Sequence, residues 1–194
     1  MDLEVKRQIF HMIVGVIIVF VLNINSDIVD KYFEIVLLII IITGLFLSMV
    51  SKRIKIPVFS DLLKEFDRKS DIREFPGKGP FYYLVGVYFT VMIFSTDIAS
   101  AAILILAFGD SISHLIGKYF GKTKMIIHPE KLLEGTIAGI IAATLFSSIF
   151  VGIISGFIAS TITMFIEAAE LEYFKIDDNF FIPVLAGLIL SILK

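Results

Sequence analysis

Long apolar runs are the feature that most limits how this chain can fold. They lie near 8–24, 33–50, 80–96, 98–116, 133–151, 153–170 and 180–193. A membrane-spanning helix needs about 20 mainly apolar residues. These runs approach that length, and none alternates with the period of two that marks a barrel strand. In lipid, backbone polar groups must be satisfied within their own segment, so helices are expected. The prediction is an all-α, polytopic transmembrane helical bundle of about seven spans. Composition agrees. Hydrophobic residues are 57 % of the chain and charged residues 19 %, against about 25 % charged in a soluble domain. The first run follows Lys6-Arg7 as a signal peptide would. However, no small-residue cleavage site follows it, and Asn23-Ile24-Asn25-Ser26-Asp27 reads as an external turn, so it is taken as a span.

The charges balance to −2, without the basic surplus that phosphate-backbone binding needs. Nucleic acid is therefore not expected as a partner. The lack of cysteine excludes disulfides, thiolate nucleophiles and cysteine-based zinc sites. With the N-terminus inside, every lysine and arginine except Lys31 and Lys194 falls on the inner side. By the positive-inside rule, the N-terminus is then cytoplasmic. Two tight turns, near Thr96-Asp97 and at Gly152–Gly156, carry the later part of this topology.

The longest inner loop, about 51–79, has Phe59, Leu62, Leu63 and Phe66 at i, i+3, i+4 and i+7. Asp61, Lys64, Glu65, Arg68 and Lys69 fall on the other side. This pattern predicts an amphipathic helix near 58–69 lying on the inner membrane surface. The structural alternative is a solvated helix packed on another loop. Pro76-Gly77-Lys78-Gly79-Pro80 then breaks the chain. There is no internal repeat, so residues 1–194 read as one domain.

An ionisable residue at span depth costs about 2.5–3.5 kcal/mol on insertion scales and so needs a reason. The candidates are His11, Asp97, Asp110, His114, Glu134, Glu167 and Glu170. All but Asp97 fall at the inner ends of spans. Asp97 is expected to cap the helix that starts at Ile98. Arg7 and His11 share one helix face. Asp110, Ser113, His114 and Gly117 fall at i, i+3, i+4 and i+7, a polar stripe on an apolar helix. A carboxylate, a hydroxyl and an imidazole in line suit a metal–phosphate site. Gly117-Lys118-Tyr119-Phe120-Gly121-Lys122-Thr123 fails the nucleotide P-loop spacing and has no preceding strand. It still offers glycine N–H groups and lysine charge to a phosphate. Lys131 and Glu134 can form a plain ion pair. Gly135 with Gly139, and Gly152 with Gly156, suit helix packing. Glu167, Glu170, Glu172, Asp177 and Asp178 form an acidic run that neutralises the basic loops or, together with Asp110, supplies oxygen ligands for Mg²⁺. Carboxylates, lysines and glycine loops at one face of a bundle fit phosphoryl or nucleotidyl transfer to a lipid. A transporter site would lie nearer the midplane, on broken helices.

At these motifs the sequence resembles the CTP-dependent dolichol kinase family. That family includes phytol, farnesol and diacylglycerol kinases and is distantly similar to phosphatidate cytidylyltransferases. The resemblance rests on Arg7-x3-His11, Lys78-Gly79 with Tyr82-Tyr83-Leu84-x-Gly86, and Gly109-Asp110 with Gly117 and Gly121. It continues through Lys131-x2-Glu134-Gly135-Thr136, Glu167, and Asp177-Asp178-Asn179 with Pro183. It implies that CTP donates its γ-phosphate to the hydroxyl of a long isoprenoid alcohol such as a dolichol or polyprenol. This would occur with Mg²⁺ at the cytoplasmic membrane face. By motif, Asp110, Glu167, Asp177 and Asp178 become metal candidates. Arg7, Lys78, Gly109, Ser113, Gly117, Lys118, Gly121, Lys122, Lys131 and Gly135 become candidates for the CTP phosphates. Glu134, then His11, are the candidate bases. The segment Pro129-Glu130-Lys131-Leu132-Leu133-Glu134-Gly135 keeps only one of the lysines typical of cytidylyltransferases, and Ala168-Ala169-Glu170 stands where they carry Lys-Arg. These departures favour a kinase over a CDP-lipid synthase. A transporter or scaffold is the non-enzymatic alternative.

Overall fold

The structure, a computed structural model, describes residues 2–24, 26–125, 128, 131–169 and 177–194. The expectations for Pro129, Glu130, Glu170, Glu172 and Lys175 lie outside these residues. Every expected apolar run is helical. The helices are α1 (Leu3–Leu22), α2 (Asp27–Ser51), α3 (Phe59–Phe66), α4 (Lys69–Glu74) and α5 (Lys78–Ile93). After α6 (Thr96–Leu104), a π-helical segment, Ile105–Asp110, runs straight into α7 (Ser111–Phe120). Next come α8 (Leu133–Val151), α9 (Ile153–Ala168) and α10 (Asp178–Leu193). Among the described residues, extended pairing is limited to one isolated bridge between Lys124 and Leu132.

Among the described residues, four helical stretches are long and apolar enough to cross a membrane: Leu3–Leu22, Lys31–Ser51, Thr96–Phe120 and Leu133–Val151. The Thr96–Phe120 rod is the hub of the bundle. Ala99, Ala101, Ala102, Ile103, Ile105 and Ala107 on it are fully enclosed. Its alanines let neighbouring backbones approach closely, which is how helices pack when lipid supplies no hydrophobic drive between them. The outer helices turn apolar faces outward instead, with Ile13, Ile17 and Phe20 on α1 and Ile39, Ile42 and Phe46 on α2 exposed. Exposed apolar rows of this extent suit lipid rather than water.

Contacts at the two ends give the helix directions. At one end, Asn23 Nδ2 donates to Ser100 Oγ at 2.8 Å and Lys194 pairs with Asp97 at 3.0 Å. At the other, Ser111 Oγ donates to the Gln8 carbonyl at 3.3 Å, and Lys118 pairs with Asp2. The rod therefore runs antiparallel to α1 and α10. Asp97 does not cap its helix as expected. Ser95 takes the N-cap position, and Asp97 lies in the first turn, where Lys194 reaches it.

Glycines set several helix crossings. A Cβ at Gly139 would sit 2.7 Å from the Gly109 carbonyl oxygen and 2.9 Å from Ser113 Cβ. One at Gly135 would sit 2.9 Å from Gly117 Cα. Gly156 approaches Ser147 of the preceding helix in the same way. Gly152 is the exception to the packing expectation. It has open space around it and φ +78°, ψ 161°, a conformation open essentially only to glycine, and it makes the reversal between α8 and α9. Gly139→Ala should therefore lower thermal stability by about 1–3 kcal/mol through overpacking. Unfolding in detergent, followed by circular dichroism, measures this, and an unchanged midpoint would remove the crossing from the account.

The amphipathic helix appears as α3, with α4 after it. It folds back over α1. Lys6 pairs with Glu65, and the rings of Phe10 and Phe66 lie 5.1 Å apart. Asp67 is buried and accepts a bond from Gly77 N at 2.7 Å. Burial pushes the Asp67 carboxyl pKa up, while the Gly77 N–H bond pulls the other way.

Candidate functional site

A polar cavity of about 200 Å³ opens where five elements meet at the α1 N-terminal end of the bundle. Arg7 and His11 enter from α1, and Asp110 and His114 from the central rod. Lys78 and Gly79 come from the start of α5, and Asp177, Asp178 and Asn179 from the start of α10. Arg68 and Asp71 close it from the α3–α4 side. The placement of Asp110 depends on the local helix type, because it ends the six-residue π-helical segment. Such segments are rare and recur at functional sites. His114, one turn on, places Nδ1 3.1 Å from both the Asp110 carbonyl oxygen and Asp110 Oδ1. The imidazole thus bonds to the carbonyl and stands in ion-pair range of Oδ1, which has no other hydrogen-bond partner among the described residues.

The cavity leaves several buried polar atoms unmatched. His11 is 5 % exposed and neither ring nitrogen has a partner, while Asp110 is 6 % exposed. Arg7 Nη2 donates to Glu4 Oε1 at 2.7 Å, but Arg7 Nε has no acceptor. Nearly all buried polar groups in folded proteins are paired, so a cluster of exceptions around one cavity marks a place where a polar ligand completes the pairing. Tyr83 holds His11 in place. Its hydroxyl donates to the His11 carbonyl at 3.1 Å, and the two rings lie 5.0 Å apart.

Lys131 comes close to the cavity carboxylates from a different loop. The segment after α7 folds back on itself: Met125 N donates to the Lys131 carbonyl at 3.0 Å and Leu133 N to the Thr123 carbonyl at 2.9 Å. Lys131 is thereby aimed into the bundle, where it pairs with Glu167 of α9, whose side chain is 1 % exposed. Burial works against the Lys131 charge, but the carboxylates of Glu167, Asp110 and Asp178 more than offset it and raise its pKa above the ordinary lysine value. Lys131, Glu167, Asp110 and Asp178 therefore form one charge cluster. Glu167 keeps one buried oxygen, Oε2, without a hydrogen bond.

Other predicted site residues lie elsewhere. Glu134 does not pair with Lys131 and does not line the cavity. Its carboxylate accepts from Lys122 N at 3.1 Å, Thr123 N at 3.0 Å and Thr123 Oγ1 at 2.8 Å. Gly109, Gly117, Gly135 and Ser113 are held in helix crossings, and a Cβ at Gly121 would run into Leu132. Lys118 reaches Asp2 and Lys122 is exposed. The predicted polar stripe is thus divided: Asp110 and His114 face the cavity, and Ser113 and Gly117 face α8. Asp177 caps α10, accepting from Asn179 N at 3.2 Å, and its other oxygen lies 4.0 Å from Lys78 Nζ. Among the described residues, no three histidines, aspartates or glutamates stand together as ready metal ligands. Magnesium needs only one or two carboxylates beside substrate phosphates and water, and the Asp110 carboxylate, which faces the cavity beside His114, fits that demand. Arg68 and Asp71 were not among the expected site residues. Arg68 reads in the sequence as part of a polar helix face and Asp71 has no signal there, and only the fold-back of α3 and α4 brings them to the cavity.

A family model described as the cytidylyltransferase family matches residues 3–193. An uncharacterised protein of Methanocaldococcus jannaschii is 33 % identical over 97 % of this chain and 93 % of its own length. Phytol kinase 1, chloroplastic, of Arabidopsis thaliana is 27 % identical over 71 % of the chain, and CTP-dependent diacylglycerol kinase 1 of Eremothecium gossypii is 26 % identical over 74 %. The matches span 45 % and 46 % of those two kinases, so the chain covers under half of each. No solved structure matches it. The family match runs from the first residue of α1 to the last of α10 and takes in every element that builds the cavity, and the chain belongs to the cytidylyltransferase family.

Proposed function

We propose that this protein is a CTP-dependent lipid kinase that transfers the γ-phosphate of CTP to the hydroxyl of a long-chain isoprenoid alcohol of the dolichol or polyprenol kind. The observation that carries this reading is the cavity: buried Asp110, paired with His114, and unpartnered His11 among Arg7, Arg68 and Lys78, at one end of an apolar bundle. Relatives named phytol kinase and CTP-dependent diacylglycerol kinase support the reaction class. The lysine and arginine distribution supports a multi-pass arrangement with the site on the cytoplasmic face.

In this reading, Arg7, Lys78 and Lys131 hold the triphosphate, and the alcohol lies beside His11. The alcohol oxygen attacks the γ-phosphorus, forming the new O–P bond. The bond from that phosphorus to the β–γ bridging oxygen breaks, and CDP leaves with the electron pair. The hydroxyl proton passes to a free ring nitrogen of His11. A bound Mg²⁺, held by Asp110 with Asp178 nearby, would neutralise charge between the phosphates. Glu167 keeps Lys131 oriented and Asp177 anchors α10. Because Glu134 is committed to the Lys122–Thr123 turn, it holds that loop, and the base role moves to His11. Phosphoryl transfer of this loose kind depends more on positioning and charge than on a strong base.

The test is purified protein with labelled CTP, Mg²⁺ and prenol, phytol or diacylglycerol acceptors. Label from the γ-phosphate in lipid, together with CDP, is the expected result. Pyrophosphate release with cytidine label in lipid would instead make the protein a CDP-lipid synthase, and neither product would end both readings. CTP with Mg²⁺ should also stabilise the fold by about 2.7 kcal/mol at a hundredfold excess over Kd, while either alone does less. Thermal melts in detergent read this directly.

A further inference from the structure

We infer that the hydrocarbon tail of the alcohol acceptor lies in an apolar pocket roofed by α3, with its hydroxyl end delivered to His11. This rests on the kinase reading above and adds the binding place of the tail. An almost wholly apolar pocket of about 270 Å³ lies between α1, α2, α3 and α5. Leu63 and Phe66 of α3 form its roof, and Ile41 and Gly44 of α2 form its back wall. A second apolar pocket, of about 210 Å³, shares Phe10, Pro80 and Leu84 with the first. It also reaches His11, which in turn lines the polar cavity with Asp110. The three spaces are therefore neighbours, ordered from apolar pocket to imidazole to carboxylate.

That order matches one kind of occupant, an apolar chain that ends in a single hydroxyl. Phe10, Pro80 and Leu84 form the boundary that the tail crosses between the two apolar pockets. The roof is clamped at the C-terminal end of α3, by the Lys6–Glu65 pair and by the Asp67 carboxylate on Gly77 N. The side between α1 and α2 is open, because these helices pack together only sparsely. Phe10 and Ile40 at its edge are 38 % and 48 % exposed. A tail can enter there from the membrane without crossing water. Such an arrangement also explains why an amphipathic helix is folded onto the bundle: its apolar face covers the tail.

Gly44→Phe tests the pocket with little risk to folding, since a Cβ at Gly44 meets nothing within 4 Å. Wild-type protein should prefer geranylgeraniol to geraniol. In the variant, kcat/KM for geranylgeraniol should fall roughly tenfold, the scale of removing a couple of CH₂ groups from apolar contact. Geraniol turnover and thermal stabilisation by CTP with Mg²⁺ should stay within about twofold of wild type on the same scale. Ile141→Phe, on the outward face of α8, is the control and should leave both alcohols unchanged. A prenyl alcohol with a diazirine at its tail, without CTP, should crosslink to α3 and α5 in wild type and lose that label in Gly44→Phe. Turnover with an unchanged chain-length preference in Gly44→Phe would overturn the tail pocket and spare the kinase. Crosslinks at α3 and α5 without turnover on any acceptor would spare the pocket and overturn the kinase. Label spread evenly over the outward helix faces would overturn the pocket outright.

Discussion

Asp110→Asn should reduce phosphoryl transfer from CTP about a thousandfold while the bundle stays folded. The residue ends the π-helical segment of the central rod and presents its buried Oδ1 to the polar cavity. His114 Nδ1 lies 3.1 Å from that oxygen, and the carboxylate still faces the cavity, where a ligand can use its charge. Asparagine keeps the shape and removes the charge. On the proposed reading, the charge balances a cation among the CTP phosphates, and such stabilisation is worth several kcal/mol, with each 1.36 kcal/mol equal to tenfold in rate. The loss should appear in kcat, with the circular dichroism spectrum and melting midpoint near wild type. Full activity in the variant would remove Asp110 from the site. A protein that fails to fold would place Asp110 in the structural framework instead, and the thermal melt separates these results.

Lys131→Met should be the most destabilising single change at the site. Lys131 pairs with Glu167, whose side chain is almost wholly enclosed. Removing one partner of a buried pair leaves an uncompensated charge and costs about 3–5 kcal/mol. The double variant Lys131→Met with Glu167→Gln removes the orphan charge as well. It should recover most of the lost stability but not the activity, because the ammonium that would meet the phosphates is still missing. A double variant that regains both would make the pair purely structural. A single variant with wild-type stability would show that water reaches Glu167 more freely than its burial implies.

The His11 and Glu134 roles show where local pattern stops being informative. Both are ionisable residues near the end of an apolar run, and by sequence they are equivalent candidates. Their difference lies in their partners. The Glu134 oxygens meet backbone N–H groups of a loop that passes beside them, whereas the His11 nitrogens meet none. The glycines divide similarly. Gly135 and Gly139 pack helices, as small residues four apart suggest, but Gly152 turns the chain, which its backbone angles reveal and its spacing does not. Arg68 falls on the polar side of the amphipathic segment, Asp71 lies just beyond it, and neither carries a local mark of a site.

By itself, the sequence determined the helical class, the position of every apolar helix among the described residues, and the gathering of charge at one end. Those properties follow from run length, hydrophobicity and the 3.6-residue period, all of which are contained in windows of one or two dozen residues. It also carried the family, through motifs spread from Arg7 to Pro183. The tertiary structure alone decided which polar groups meet. Lys131 and Glu167 are 36 residues apart, and Gln8 and Ser111 are 103 apart. Only the tertiary structure formed the pocket beneath α3, since its walls come from four helices that share no local pattern. The physical reason is the range of the interactions. A helix is made by bonds four residues long, whereas a site is made by side chains whose directions are set by packing partners far away in the chain.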